Sequence, residues 1–166
     1  VGLSLGGMIA VDFALEHPHR VKKLVLPAAS LRGYAYTDAQ EWVNDYFDAI
    51  DAGRKAAVEF WLNHQLFETA REYPRAYKKM RRMLYDNFPA WNPMGPGPQV
   101  LWPETETAAR LQQVQQETLV MIGDEDTADL KACADILSVK IPGAQRIDYQ
   151  GVGHHFPMEI PQQFSA

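Results

Sequence analysis

Val1-Gly2-Leu3-Ser4-Leu5-Gly6-Gly7 opens the chain, and the reading of this stretch decides the fold. A serine with glycine two residues away on each side, just ahead of a helical pattern, fits a tight strand-to-helix turn. Such a turn forces strained backbone angles on the serine, and side chains two residues to either side would collide. Glycine at positions 2 and 6 removes that collision. A helix that starts at once aims its first N–H groups and the positive end of its dipole at the serine. On this reading Ser4 is a nucleophile and the backbone N–H of Leu5 is one donor of an oxyanion hole. The competing reading is a serine that merely caps the helix, with glycines serving a loop.

Working outward, Met8, Ile9, Val11, Phe13, Ala14 and Leu15 cover most of a helical wheel and leave Asp12 and Glu16 together on one edge. A helix apolar nearly all round is expected to be buried. Pro18 ends it, because proline disfavours helix at the residue before it. Leu24-Val25-Leu26, between Lys22-Lys23 and Pro27, reads as a strand buried on both faces, the parallel-sheet type. From Ser30 to Gln116 the pattern changes and aromatic residues become dense. Thr37-Asp38-Ala39-Gln40 matches a capping box and predicts a helix carrying Trp42, Tyr46 and Ile50. A second helix follows Gly53 with Ala57, Phe60, Trp61 and Leu62, and a third starts at Pro74 with Tyr77, Met80 and Leu84 on one side. Pro89 to Pro103 reads as a proline-rich loop, and Thr105 to Gln116 as a short polar helix. Beyond Gln116 the strand-and-helix pattern returns: a buried strand over Thr118–Ile122, a helix with Leu130, Cys133, Ala134 and Leu137 on one face, and a more exposed strand over Arg146–Tyr149. Strands alternating with helices imply a parallel sheet, hence an α/β fold. The chain begins at the turn itself and stops soon after Pro161, so a piece of a longer protein is expected.

Composition narrows the function. The chain has 166 residues, 46% hydrophobic and 22% charged, an ordinary globular balance that excludes a disordered chain or a coiled coil. Its net charge is −5, and its largest basic run, Lys78-Lys79-Met80-Arg81-Arg82, alternates with core-type residues as a solvated helix face does. No nucleic-acid partner is expected. No apolar run reaches membrane-spanning length, so no membrane partner is expected either. The single cysteine, Cys133, excludes an internal disulfide and reads as a core thiol. It fits a reducing compartment, by default the cytoplasm.

Two further stretches carry chemistry. Gly123-Asp124-Glu125-Asp126 directly follows the second strand, at the carboxyl end where parallel sheets gather their catalytic groups. An aspartate there can hold a histidine in the required tautomer. The alternatives are a polar turn or a metal site, but no calcium-loop spacing follows and no histidine lies nearby in sequence. Gly151-Val152-Gly153-His154-His155 follows the last strand, and a histidine in such a loop is well placed as a general base. Adjacent histidines in extended chain point to opposite sides, which argues against a zinc pair. His154 is the expected base and His155 its neighbour.

The order serine, acid, histidine, each at a strand's carboxyl end, resembles that of α/β-hydrolases. The likeness lies in Val1–Ala10, His17–Leu26, Val120–Asp126 and Ile141–Phe164, about a third of the chain. It resembles the capped esterase and 3-oxoadipate enol-lactonase-like branch. The resemblance implies a partial α/β-hydrolase fold, with residues 1–29 and 117–166 as core and 30–116 as an inserted helical cap. It implies Ser4 as nucleophile, His154 as base and Asp126 as triad acid. Asp126 is preferred to Asp124 because the family acid is the fourth residue of its Gly-x-x-Asp turn. The implied activity is hydrolysis of a small-molecule carboxylic ester or lactone, without metal or organic cofactor. Carbon–carbon bond hydrolysis, cofactor-free haloperoxidase chemistry and non-catalytic ligand binding are the alternatives on the same fold. A dehalogenase is disfavoured, since that chemistry uses aspartate where Ser4 stands.

Overall fold

The structure, a computed structural model, describes residues 1–37, 39–91 and 103–165. Among them, three parallel strands form one sheet in the order β1 (Lys23–Pro27), β2 (Glu117–Gly123), β3 (Gln145–Tyr149). Lys23 pairs with Glu117 through to Pro27 with Met121, and Leu119 with Gln145 through to Gly123 with Tyr149. The opening residues continue the sheet beyond β1. Gly2 N–H donates to Val25 O at 3.0 Å and Ser4 N–H to Pro27 O at 3.2 Å. Ser4 therefore leaves an extended run at the edge where the strands end.

The core lies between this sheet and the helices flanking it. Val11 and Ala14 of α1 (Leu5–Glu16), Leu24 and Leu26 of β1, Val120 and Ile122 of β2, and Cys133 and Leu137 of α5 (Ala128–Lys140) are all buried in it. Cys133 is a core thiol, as its position predicts. Burial pushes its pKa up, so it stays protonated and inert.

One expectation fails in α1. Leu5, Ile9 and Phe13 are 54%, 50% and 39% exposed, while Asp12 is buried. The helix packs on β1 through one face, and the other is covered only in part, with the Arg20 guanidinium 5.4 Å from the centre of the Phe13 ring. Asp12 is buried because it has partners: Arg32 donates to it through Nε and Nη2, each at 3.0 Å, and Thr107 Oγ1 also donates to it. The same guanidinium reaches Pro103 O at 3.2 Å and Thr105 O at 2.7 Å, and Ala108 N–H donates to Arg32 O at 3.0 Å. These contacts draw the backbone groups of 103–108 away from helical pairing. The predicted helix over Thr105–Gln116 is accordingly two short 3₁₀ turns, Thr107–Ala109 and Leu111–Gln113.

Between β1 and β2 run α2 (Ala39–Asp51), α3 (Arg54–Asn63), the 3₁₀ turns Gln65–Phe67 and Thr69–Glu72, and α4 (Pro74–Trp91). Gly53 starts α3 at φ 99, which only glycine adopts readily. α4 continues past Pro89, where a loop was expected. The rest of that loop, residues 92–102, and Asp38 of the predicted capping box lie outside the described residues. Val58, Leu62, Phe67, Ala70, Ala76 and Met80 form a second core here, separate from that of the sheet. At both ends of the segment, Leu31, Leu111 and Val114 join the sheet's core instead. The basic run is a solvated face: Met80 is buried, while Arg81 pairs with Glu59 and Arg82 with Asp86 at exposed positions. Among the described residues no helix is long and apolar enough to cross a membrane.

Candidate active site

Ser4 sits at the head of α1 with φ 53 and ψ −120, a conformation that costs a non-glycine residue about 1–3 kcal/mol. The surroundings hold it there. Its N–H donates to Pro27 O, and its carbonyl accepts from the N–H groups of Gly7, Met8 and Ser30 at 2.9, 3.2 and 3.0 Å. Its side chain makes no capping hydrogen bond to the helix, so the capping alternative fails. A Cβ at Gly2 would lie 2.2 Å from Gly6 O, which accounts for the first glycine. Gly6 departs from expectation: a Cβ there meets nothing within 4 Å. The tight approach falls one residue later, where a Cβ on Gly7 would lie 2.4 Å from Ala29 Cβ and 2.8 Å from Gly2 O. The backbones cross at Gly7 because α1 turns back over the chain leaving β1.

The three acids after β2 diverge. Asp124 Oδ1 accepts from Gly151 N–H at 2.7 Å, Glu125 is exposed, and Asp126 is buried. Asp126 Oδ1 accepts from Thr127 N–H at 2.8 Å, which leaves Oδ2 for His154 Nδ1 at 3.0 Å. Both side chains are almost wholly excluded from water, 4% exposed for His154 and 0% for Asp126. Asp126 and His154, separated by two elements in sequence, are thus brought together. Among the described residues no hydrogen bond links Ser4 to His154.

The two histidines part company, as expected for adjacent positions. Their rings stand at 90° with centroids 5.1 Å apart. His155 Nδ1–H donates to Leu66 O at 2.9 Å, and its ring packs 4.2 Å from that of Phe67. Burial, with the neighbouring His154 second, lowers the His155 pKa to about 4, so it is neutral near pH 7. Among the described residues no group of three or more His, Cys, Asp or Glu side chains is placed to hold a metal ion.

A cavity of about 310 Å³ opens beside Ser4. Ser4, Leu5 and Ser30 line one side, and Thr127, Asp129 and Leu130 line another. Tyr36 and the helical segment's Trp61, His64, Gln65 and Leu66 complete it. Among the described residues, most of the segment's aromatic side chains lie elsewhere, as Phe67 does in the second core. Asp129, buried at the wall, accepts from Tyr34 OH at 2.9 Å and Thr37 N–H at 2.8 Å, and so ties the entry of the helical segment to α5. Sequence reasoning missed Asp129, and also Thr69 and Glu159, which meet beside the His154 loop where Thr69 Oγ1 donates to Glu159 Oε1 at 2.9 Å. Glu159 offered one signal, a lone acid among the apolar residues of Phe156–Ile160.

Comparison with known proteins agrees with this architecture. The family model for the alpha/beta hydrolase fold matches residues 1–161. The 2-hydroxymuconate semialdehyde hydrolase of Pseudomonas sp. (strain CF600) is 27% identical over 168 residues, covering 100% of this chain and 58% of that protein. The pimeloyl-[acyl-carrier protein] methyl ester esterase of Aromatoleum aromaticum is also 27% identical, covering 92% of this chain and 65% of that protein. The structure of MenH from S. aureus superposes with a TM-score of 0.73 at 20% identity, over 98% of this chain and 63% of that one. The chain therefore spans about three-fifths of the length of these relatives.

Proposed function

The chain belongs to the alpha/beta hydrolase fold family, and on that premise we propose that Ser4, Asp126 and His154 form a triad that hydrolyses a carboxylic ester or lactone. The observation that carries this reading is the buried contact between His154 Nδ1 and Asp126 Oδ2 at 3.0 Å. A carboxylate there accepts the Nδ1 proton, which leaves Nε2 as the ring's base. His154 Nε2 takes the Ser4 hydroxyl proton as Oγ attacks the carbonyl carbon. The Leu5 N–H, first in α1, stabilises the resulting oxyanion. Collapse of the tetrahedral intermediate expels the alcohol oxygen, which leaves with the proton held by His154 and leaves an acyl group on Ser4. Water then attacks that acyl group, His154 takes its proton, and the acid is released as Ser4 Oγ is reprotonated. The nucleophile–base hydrogen bond of such sites is often long before substrate binds and tightens afterwards.

Residues 30–116 act in this reading as a cap over the site. The support is the second core around α3 and α4, together with Trp61, His64, Gln65 and Leu66 on the cavity wall. A small-molecule substrate lies between that wall and Ser4, and the site needs no cofactor.

The test is hydrolysis of aryl esters and lactones by the native protein and its variants. Ser4→Ala is expected to lower kcat/KM by about 10⁴-fold or more, and Asp126→Asn by about 10⁴-fold. Retention of ester hydrolysis by Ser4→Ala contradicts the mechanism. A second reading, carbon–carbon bond hydrolysis by the same triad, is favoured by the likeness to a semialdehyde hydrolase over the whole chain. Turnover of 2-hydroxymuconate semialdehyde well above that of every ester and lactone would select it.

A further inference from the structure

His154 lies in a loop with little to fix it locally. Gly151 stands at φ 69, and Gly153 contributes no side chain. The loop is fixed from outside. Gly151 N–H donates to Asp124, and Glu125 N–H donates to Val152 O at 3.1 Å. On the residue next to His154, Gly153 N–H donates to Glu159 Oε2 at 3.1 Å. The other oxygen of that carboxylate, Oε1, accepts from Thr69 Oγ1 at 2.9 Å. Glu159 is 6% exposed, and a Cβ on Gly153 would lie 2.3 Å from Thr69 Oγ1. Thr69, Gly153 and Glu159 therefore meet at one point with no slack.

Thr69 belongs to the helical segment, a few residues after Gln65 and Leu66 on the cavity wall. Two more contacts join the same segment to the loop: His155 to Leu66 O, and Tyr73 OH to Gly151 O at 3.4 Å. Burial of the Glu159 carboxyl raises its pKa, so ionising it there is unfavourable. A buried carboxylate with two neutral donors adds little stability that an apolar side chain could not supply. What an apolar side chain cannot supply is a fixed direction for the Gly153 amide and a link to Thr69.

The geometry points to Glu159 as a positioning residue for His154: it locks the Gly153 amide and, through Thr69, registers the histidine loop against the wall of the substrate cavity. This rests on the reading of His154 as the base. Glu159→Leu removes both acceptors, whereas Glu159→Gln keeps a carbonyl for Gly153 and an amide for Thr69.

The experiment follows the His154 Nδ1–H proton by NMR, together with kcat and KM on an aryl ester. In the native protein that proton, hydrogen-bonded to Asp126, is expected to resonate far downfield. In Glu159→Leu it is expected to broaden or shift, with kcat down about 10–100-fold and KM little changed, the pattern of a displaced catalytic group. Glu159→Gln is expected to recover most of both losses. Native kcat and a native His154 resonance in folded Glu159→Leu would overturn the inference. If Glu159→Leu does not fold, Thr69→Val against Thr69→Ser decides: a disturbed resonance in the valine variant alone supports it, and native behaviour in both overturns it. The triad reading fails separately, when the native protein shows the bonded His154 proton yet Ser4→Ala still hydrolyses the ester.

Discussion

Gly6 and Gly7 stand side by side in the first turn of α1, and a methyl group added to each meets different surroundings: open space at Gly6, and Ala29 Cβ at 2.4 Å at Gly7. Gly6→Ala is therefore expected to stabilise the protein by about 0.5–1 kcal/mol, since alanine is the better helix former. Gly7→Ala is expected to destabilise it by about 1–3 kcal/mol through overpacking. Urea unfolding of the two variants checks both signs, and equal midpoints would contradict the packing at this crossing. The same pair shows what was legible at this scale. The strained turn at Ser4 and the meeting of Asp126 with His154 were readable because each residue stands in a short motif whose local backbone restricts the residue types around it. Gly7 looked like any helix glycine, since its partner Ala29 is distant in sequence. Glu159 was likewise hidden, because its role depends on Thr69, which the chain places 90 residues away.

Elements formed where periodicity predicted them when their own hydrogen bonds were free to do so. The helices at α3 and α5 and the strands at β1, β2 and β3 all follow their apolar patterns. One exception is 103–113, where Arg32 claims the carbonyls of Pro103 and Thr105 and orders two 3₁₀ turns in place of a helix. Nothing in the local pattern marks this, since Arg32 and Asp12 lie far upstream. Their ion pair is well shielded, with side-chain exposures of 14% and 8%. Arg32→Leu leaves Asp12 buried without its cation and is expected to cost about 3–5 kcal/mol. The double variant Asp12→Leu with Arg32→Leu is expected to recover much of that loss. Both follow from chemical denaturation. A single-variant cost below about 1 kcal/mol, the range of exposed pairs, would mean that the pair does not anchor 103–107 to α1.

On the scale of the whole molecule, the sheet gathers Ser4, the Asp126 turn and the His154 loop at one edge, and the helical segment packs its own core above them. The alternation of strands and helices made the parallel sheet legible. It did not reveal that α1 leaves Leu5, Ile9 and Phe13 exposed, because burial depends on what lies across the sheet edge and not on the helix's own composition. The account turns on an activated Ser4, held at φ 53 beside the 310 Å³ cavity. The most direct measurement is intact-mass spectrometry after treatment with a fluorophosphonate, for this chain and for Ser4→Ala. Attack by Ser4 Oγ on phosphorus, with loss of fluoride, leaves a phosphonyl group on the serine. The account predicts one adduct on the native chain and none on the variant. An unmodified native chain, or equal labelling of both, would contradict it.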